Sequence, residues 1–181
     1  MREETPADRL WILFECHVCL GEIVFWLLEK VDNVADEVCG NATLLHIAAT
    51  RTEPIFIEAL INRGADVNKR DSENKTPLHW VADGDLNPRI ALMLVAKGAD
   101  INAQDNKGNT LLHLAAKKGA IDLVLSLIEF GADLNIKNNV NNTPKDSVVS
   151  NLSMYEALGI IRLIKANAIV QIFEHYKPEQ G

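Results

Sequence analysis

The segment CHVC, which begins at Cys16, has side chains whose types and spacing can bind a metal or carry out redox chemistry. The thiols of Cys16 and Cys19, with the imidazole of His17 between them, match half of a zinc site or a redox-active CxxC pair. A structural zinc site needs four ligands, and the nearest other candidates, Cys39 and His46, offer no second CxxC spacing. A thioredoxin-like pair begins a helix beside a β-α-β pattern, which this sequence does not show. Whether CHVC is a site or fills a core depends on the elements that position it.

The composition is that of an ordinary folded domain, because 48% of the 181 residues are hydrophobic and 24% are charged. The 18 Lys and Arg against 25 Asp and Glu give a net charge of −7, and no basic block is present, so we expect no nucleic acid partner. Three cysteines do not make a disulfide framework, and the charged start MREETPADRL is unlike a signal peptide, so we expect a cytoplasmic location.

The stretch from Leu10 to Leu28 is the most apolar part of the chain. It contains Glu15 and Glu22, and an acidic side chain in mid-membrane costs about 2.5–3.5 kcal/mol on insertion scales. We therefore predict no membrane span.

A repeat organises most of the chain. TLLHIAA begins at Thr43, TPLHWVA at Thr76 and TLLHLAA at Thr110, and TPKDSVV at Thr143 is a worn copy. The intervals are 33, 34 and 33 residues. A second marker, GADVN, GADIN or GADLN, keeps the same period and begins at Gly64, Gly98 and Gly131. Two markers at one period indicate a stack of similar structural units.

These residues resemble the ankyrin repeat, a 33-residue unit with the motif T-P-L-H-x-A. The resemblance implies an all-α solenoid of about five stacked helix-turn-helix units with short β-hairpin loops, in one domain of residues 1–181. The first and last units match poorly and are interpreted as caps. The units are expected at about 10–42, 43–75, 76–109, 110–142 and 143–176.

The residue types of the motif fit this arrangement. The threonine can cap the N-terminus of a helix, and Pro77 suits the first helical position because its missing N–H is not needed there. The glycine of the second marker can close a helix with a left-handed residue. The resemblance implies that the histidines bond within and between adjacent repeats rather than bind a metal: these are His46, His79 and His113.

The repeat frame also interprets CHVC. Cys16 occupies the position of Ala49, Ala82 and Ala116, and buried cysteine behaves as a small hydrophobic residue. We interpret Cys16 as part of a core, and we predict no metal, cofactor or catalytic residue in the chain.

The positions that vary between copies are the candidates for binding. The resemblance implies that a partner protein is held on the concave face by non-consensus residues of the hairpin tips and inner helices. Trp80 is the first choice, because Ile47 and Leu114 fill its position elsewhere and tryptophan is enriched at binding hot spots. The full set is Arg70, Ser72, Glu73, Lys75, Trp80, Asp83, Asp85, Gln104, Asn106, Lys107, Asn109, Lys117 and Lys118.

The sequence departs from the repeat at two places, and each departure predicts a local feature. DGDLNP, which begins at Asp83, lengthens one unit by a residue and predicts a local loop. In the first unit, Phe25 and Trp26 fall where the other units have smaller or more polar residues, and they predict a second, apolar binding surface or self-association.

The sequence therefore predicts a non-enzymatic protein–protein interaction module. It would act as an adaptor or stoichiometric inhibitor, or as an effector in the cytoplasm or nucleus of a host cell. The alternative is that the chain is the ankyrin targeting segment of a longer, catalytic protein.

Overall fold

The structure, a computed structural model, describes residues 38–39, 42–50, 54–149 and 160–176. Most of the predicted first unit, 10–42, lies outside these residues, together with the CHVC segment and the apolar surface predicted at Phe25 and Trp26.

The described residues form helix pairs in the order that the repeat predicts. A short antiparallel pair of strands, β1 and β2, precedes the first pair, with Val38 opposite Thr43 and Cys39 opposite Ala42. The elements are β1 Val38–Cys39, β2 Ala42–Thr43, α1 Leu44–Ala49, α2 Pro54–Asn62, α3 Pro77–Trp80, α4 Pro88–Ala96, α5 Leu111–Lys118, α6 Ile121–Glu129, α7 Pro144–Val149 and α8 Ile160–His175.

The helices pack in two layers. The first helices of the pairs contact one another in the sequence α1, α3, α5, α7, and the second helices contact in the sequence α2, α4, α6, α8. One continuous apolar core fills the space between the layers, and Leu45, Ile57, Leu94 and Leu127 are among its buried residues. The chain is therefore an all-α solenoid with very little strand in its described part, as predicted.

The helix ends confirm the local predictions. Thr43, Thr76 and Thr110 have extended backbone and cap α1, α3 and α5. Gly98 follows α4 with a left-handed φ of 94°, and the N–H of the next residue, Ala99, donates to the carbonyl of Leu94 at 2.9 Å. Gly64 and Gly131 repeat this ending at φ 90° and 86°. The left-handed residue satisfies carbonyls that the helix end would otherwise leave unpaired.

The extra residue of the unit that begins at Thr76 forms the predicted loop. Helix α3 ends at Trp80, and turns continue to Leu86, which adopts a positive φ of 56°. Asn87 then caps α4 by accepting from the N–H of Arg89 at 3.0 Å, and Pro88 is the first helical residue. Gly84 in this loop lies against the backbone of Thr50 in the preceding unit.

Candidate functional site

A threonine–histidine clamp holds each inner helix to the following hairpin. The histidine Nδ1 lies 3.1 or 3.2 Å from the backbone nitrogen of the capping threonine and 2.9 Å from its hydroxyl oxygen. On the other edge of the ring, Nε2 lies 3.1 Å from the backbone carbonyl of the last residue of the same unit, which directly precedes the threonine of the next unit. The three clamps are Thr43, His46 and Lys75; Thr76, His79 and Asn109; and Thr110, His113 and Asn142. Among the described residues, each histidine therefore makes its hydrogen bonds within its own unit, where it holds the hairpin loop to the inner helix.

The clamp requires a neutral imidazole. Nδ1 accepts from the threonine N–H and must be unprotonated, whereas Nε2 donates to the carbonyl and must carry the proton. Burial lowers the pKa of His46, His79 and His113 below the ordinary value, and the carbonyl that each ring contacts opposes this only in part. The pKa shifts and the hydrogen bonds therefore agree on the neutral form.

Acid is expected to destabilise the fold as the pH drops below the ordinary pKa of histidine. Because burial lowers the folded-state pKa of the three histidines, the unfolded chain binds more protons, and stability falls as the pH drops from the unfolded value of about 6.5 through the folded values. Each histidine can contribute a slope of at most about 1.4 kcal/mol per pH unit. Urea unfolding at pH 7.5, 6.5 and 5.5 measures this effect, and a free energy of unfolding that stays constant over this range would contradict it.

The unit that begins at Thr143 has Asp146 in place of the histidine. Its Oδ2 accepts from the N–H and the hydroxyl of Thr143 at 2.9 and 2.7 Å, so the cap within the unit is kept. The backbone N–H of Thr143 is the main reason that the pKa of Asp146 is lowered, and the hydroxyl adds to it. The carboxylate is exposed and has no N–H to donate to a hairpin carbonyl, so the second bond of the clamp is absent here.

The hairpin tips are built by one turn used three times. A side-chain oxygen at the start of the tip accepts from the backbone N–H groups two and four residues later, at 2.8 to 3.2 Å. The accepting residues are Asp71, Asp105 and Asn138. Each tip also needs one left-handed residue, which is Asn74, Gly108 or Asn141.

A ladder of hydrogen bonds joins successive tips. The N–H of Asn106 donates to the carbonyl of Glu73, and the N–H of Asn139 donates to the carbonyl of Lys107, both at 3.0 Å. Asn106 Nδ2 also donates to the carbonyl of Ser72 at 3.3 Å.

Arg70 and Gln104 form a second ladder beside the tips. Arg70 donates to the carbonyls of Asn74 and Gln104, and Gln104 donates to those of Gly108 and Lys137. Arg70 and Gln104, which the sequence placed among the binding candidates, therefore already bind the next hairpin.

Trp80 also makes contacts within the fold. Its Nε1 donates to Asp71 Oδ2 at 2.8 Å, and its ring meets that of His46 edge-on, with centroids 5.5 Å apart. The half-buried ring packs against the core. Trp80 is therefore not among the residues that we propose to contact a partner.

Lysines and carboxylates form a network around Asp83, in the unit that begins at Thr76. Lys75 Nζ lies 3.0 Å from Glu73 and 3.2 Å from Asp83. Burial acts to lower the pKa of Lys75, but the hydrogen bonds and charges of Glu73 and Asp83 outweigh it and raise that pKa. Lys118 reaches back to the same unit, where it contacts the carbonyl of Ala82 and lies 3.9 Å from Asp83.

Six of the candidate residues line one groove on the concave face. This concave groove has a volume of about 520 Å³ and is bounded by α5, α7 and the hairpin tips. The candidates that line it are Lys75, Asp83, Asn106, Lys107, Asn109 and Lys117. Asp85 and Lys118 instead line a second pocket of about 670 Å³ beside the turns between inner and outer helices.

The sequence reasoning missed one prominent member of the concave groove. Val140 stands at the third tip with 72% of its surface exposed, and it lines the groove together with half-buried Leu114. Glu73 and Lys107 occupy the equivalent position in the two earlier tips. An apolar residue at a tip position that is charged elsewhere was the signal that could have identified it.

Two classes of site can be checked in the described residues. Among them, no group of three or more His, Cys, Asp or Glu side chains is placed to hold a metal ion. None of the helices described is both long and apolar enough to span a bilayer.

The fold and the groove define a class of protein. Helix pairs that stack on their neighbours and leave an open face of inner helices and tips form a repeat solenoid. A family model of ankyrin repeats in three copies matches residues 16–105, and one of ankyrin repeats in many copies matches residues 94–146. The chain therefore belongs to the ankyrin-repeat family, whose repeats mediate protein–protein interactions.

One curated protein with a similar stretch of sequence is a much longer chain. The ADP-ribosylation factor GTPase-activating protein AGD2 of Arabidopsis thaliana is 42% identical over 50 residues. The matched stretch is 28% of this chain and spans 6% of that protein's length.

Proposed function

We propose that the chain is a non-enzymatic adaptor or stoichiometric inhibitor that binds another protein in the concave groove. The observation that carries this proposal is the convergence of six variable residues from three successive units on one open groove. Several of these residues also bond within the fold, but the exposed side chains among them share one open face, which is the arrangement that a solenoid offers to a partner.

A protein suits this groove better than a small molecule. Sites for small molecules are mostly apolar and enclose the ligand, with a few polar groups aimed inward. Here the lining is mainly polar, and the amides of Asn106, Asn138 and Asn139 already bind other tips. The exposed side chains left for a ligand stand along the rim, as in a protein interface.

Affinity capture from lysate of the source cells tests the proposal. The groove variant carries Lys107→Ser, Lys117→Ser and Val140→Ser, all at exposed positions. The matched control carries Arg63→Ser, Arg89→Ser and Ile55→Ser, which remove two cations and one exposed apolar side chain from the outer layer.

We expect the groove variant to lose at least about tenfold of a specific partner in quantitative mass spectrometry, since a few central residues dominate binding energy. The control variant should keep that partner, and both variants should melt close to the parent chain. Equal loss in both variants, or no partner that depends on the groove, would contradict the proposal.

A second candidate function is targeting within a longer protein. It is favoured by the relative named above, whose described length far exceeds the matched stretch and whose printed name is that of an enzyme. An immunoblot of the source cells with an antibody against this chain separates the two candidates. A band near 20.0 kDa supports the stand-alone adaptor, and a much larger band supports the targeting segment.

A further inference from the structure

The charges around the concave groove are unequally compensated. Glu73 and Asp83 both lie within 3.2 Å of Lys75 Nζ. Asp105 is only 8% exposed, and its Oδ1 accepts from the N–H groups of Lys107 and Asn109 at 2.8 Å. The acidic groups of the groove are thus paired within the fold.

The positive charge of Lys107, in contrast, has no partner in the described part of the chain. Its side chain is exposed at the second tip and makes no hydrogen bond or ion pair in the part of the chain that the structure describes. Lys117, which is also exposed, lines the same groove one turn into the repeat on α5. The chain as a whole has a net charge of −7, so a surplus of positive charge here differs from the rest of the molecule.

An apolar spot adjoins this positive charge. Val140, at 72% exposed, stands on the next tip along the stack, and Leu114 is half-buried on α5 below it. The tips that carry Lys107 and Val140 are tied together, because the N–H of Asn139 donates to the carbonyl of Lys107 at 3.0 Å. The two tips that carry the cation and the apolar side chain are therefore held side by side.

We propose that the concave groove selects an extended, acidic protein segment with a bulky apolar side chain beside its carboxylates. A carboxylate pairs with Lys107, Lys117 adds positive charge to the groove, and the apolar side chain covers Val140 and Leu114. This inference rests on the proposed function and deepens it by naming the chemistry of the partner. Charge complementarity of this kind confers specificity and speeds association.

Selection from a phage-displayed library of random 12-residue peptides tests the inference on the full chain. The library is depleted on a Lys107→Glu, Val140→Asp double variant before each round. We expect enriched peptides to be net acidic and to carry one Leu, Ile, Phe or Trp flanked by Asp or Glu. An enriched set that is basic or uncharged overturns the inference, and so does a failure to enrich any peptide.

Binding of an enriched peptide, measured by fluorescence anisotropy, then assigns the contacts. We expect Lys107→Glu and Val140→Asp each to weaken binding about tenfold, and 500 mM salt to weaken it similarly because it screens exposed charges. Arg89→Glu and Ile55→Asp, which make the same changes on the outer helices, should alter binding less than about twofold. A peptide with its acids changed to lysine should bind Lys107→Glu better than it binds the parent chain.

Three results would overturn the inference: binding insensitive to Lys107→Glu, no benefit from the charge swap, or a dimer of the chain that Val140→Asp dissociates. The last would show that a second copy fills the groove. The capture experiment measures whether any protein depends on the groove, and these three results do not decide it. The proposed function can therefore survive when this inference fails.

Discussion

His79→Ala is expected to lower the free energy of unfolding by about 3–4 kcal/mol, although the residue touches no binding surface. The side chain is 1% exposed and contacts the backbone nitrogen of Thr76 at 3.1 Å and the carbonyl of Asn109 at 3.1 Å. Alanine leaves both buried groups without a partner, at about 1–3 kcal/mol each. Urea unfolding followed by circular dichroism measures the loss.

Two further variants divide this effect between the helix cap and the contact with the hairpin carbonyl of Asn109. His79→Gln can still accept from the Thr76 N–H in the manner of a capping box, but its shorter side chain leaves Asn109 unpaired, so we expect an intermediate loss of about 1–2 kcal/mol. Asp146→Ala removes the equivalent, exposed side chain of the last unit and should cost about 1 kcal/mol or less. Equal losses for His79→Ala and Asp146→Ala would show that the bond to the hairpin carbonyl contributes nothing.

Gly84→Ala is expected to cost about 2–3 kcal/mol, for a different reason. A Cβ atom at this position would lie 2.2 Å from the carbonyl oxygen of Thr50 and 2.7 Å from its carbonyl carbon. These are backbone atoms of the neighbouring unit, so no side-chain rotation relieves the contact and the two turns must move apart. Differential scanning calorimetry and urea unfolding measure the cost.

A double variant distinguishes this backbone contact from ordinary side-chain crowding. Thr50→Ala shortens the neighbouring side chain but leaves its carbonyl in place, so it should not rescue Gly84→Ala. Gly98→Ala is the control for glycine's conformational freedom, because Gly98 has a φ of 94° and nothing within 4 Å of an added Cβ. It should lose about 1–2 kcal/mol from backbone strain alone. A Gly84→Ala chain within about 0.5 kcal/mol of the parent would show that the units are not held this closely.

The periodic residues could be predicted because each makes the same contact in every unit. Threonine caps, glycine helix ends and apolar positions depend on local geometry, and that geometry recurs with the sequence. The apolar residues of α6 that helical spacing predicted, such as Leu123 and Leu127, are accordingly buried. A one-residue insertion broke the period at Asp83, and the structure has a loop there.

The groove could be predicted only in part, because its members depend on contacts between loops that lie more than thirty residues apart. Variation between the copies marked both Lys107 and Arg70 as binding candidates. It could not show that the Lys107 side chain is unpaired in the described chain whereas Arg70 bonds to the next hairpin. Nor could it show that Trp80 bonds to Asp71, because no other unit has this pair. The close contact of Gly84 could not be predicted either, because its neighbour Thr50 belongs to the preceding unit.

Hydrogen–deuterium exchange of the chain, alone and with the protein that it captures most strongly, tests the central claim that this partner binds the concave groove. We predict slower exchange in peptides that cover the tips at 105–109 and 138–142 and in α5, with little change in α4 and α6. Protection confined to the outer helices, or none anywhere in the described units, would contradict the account.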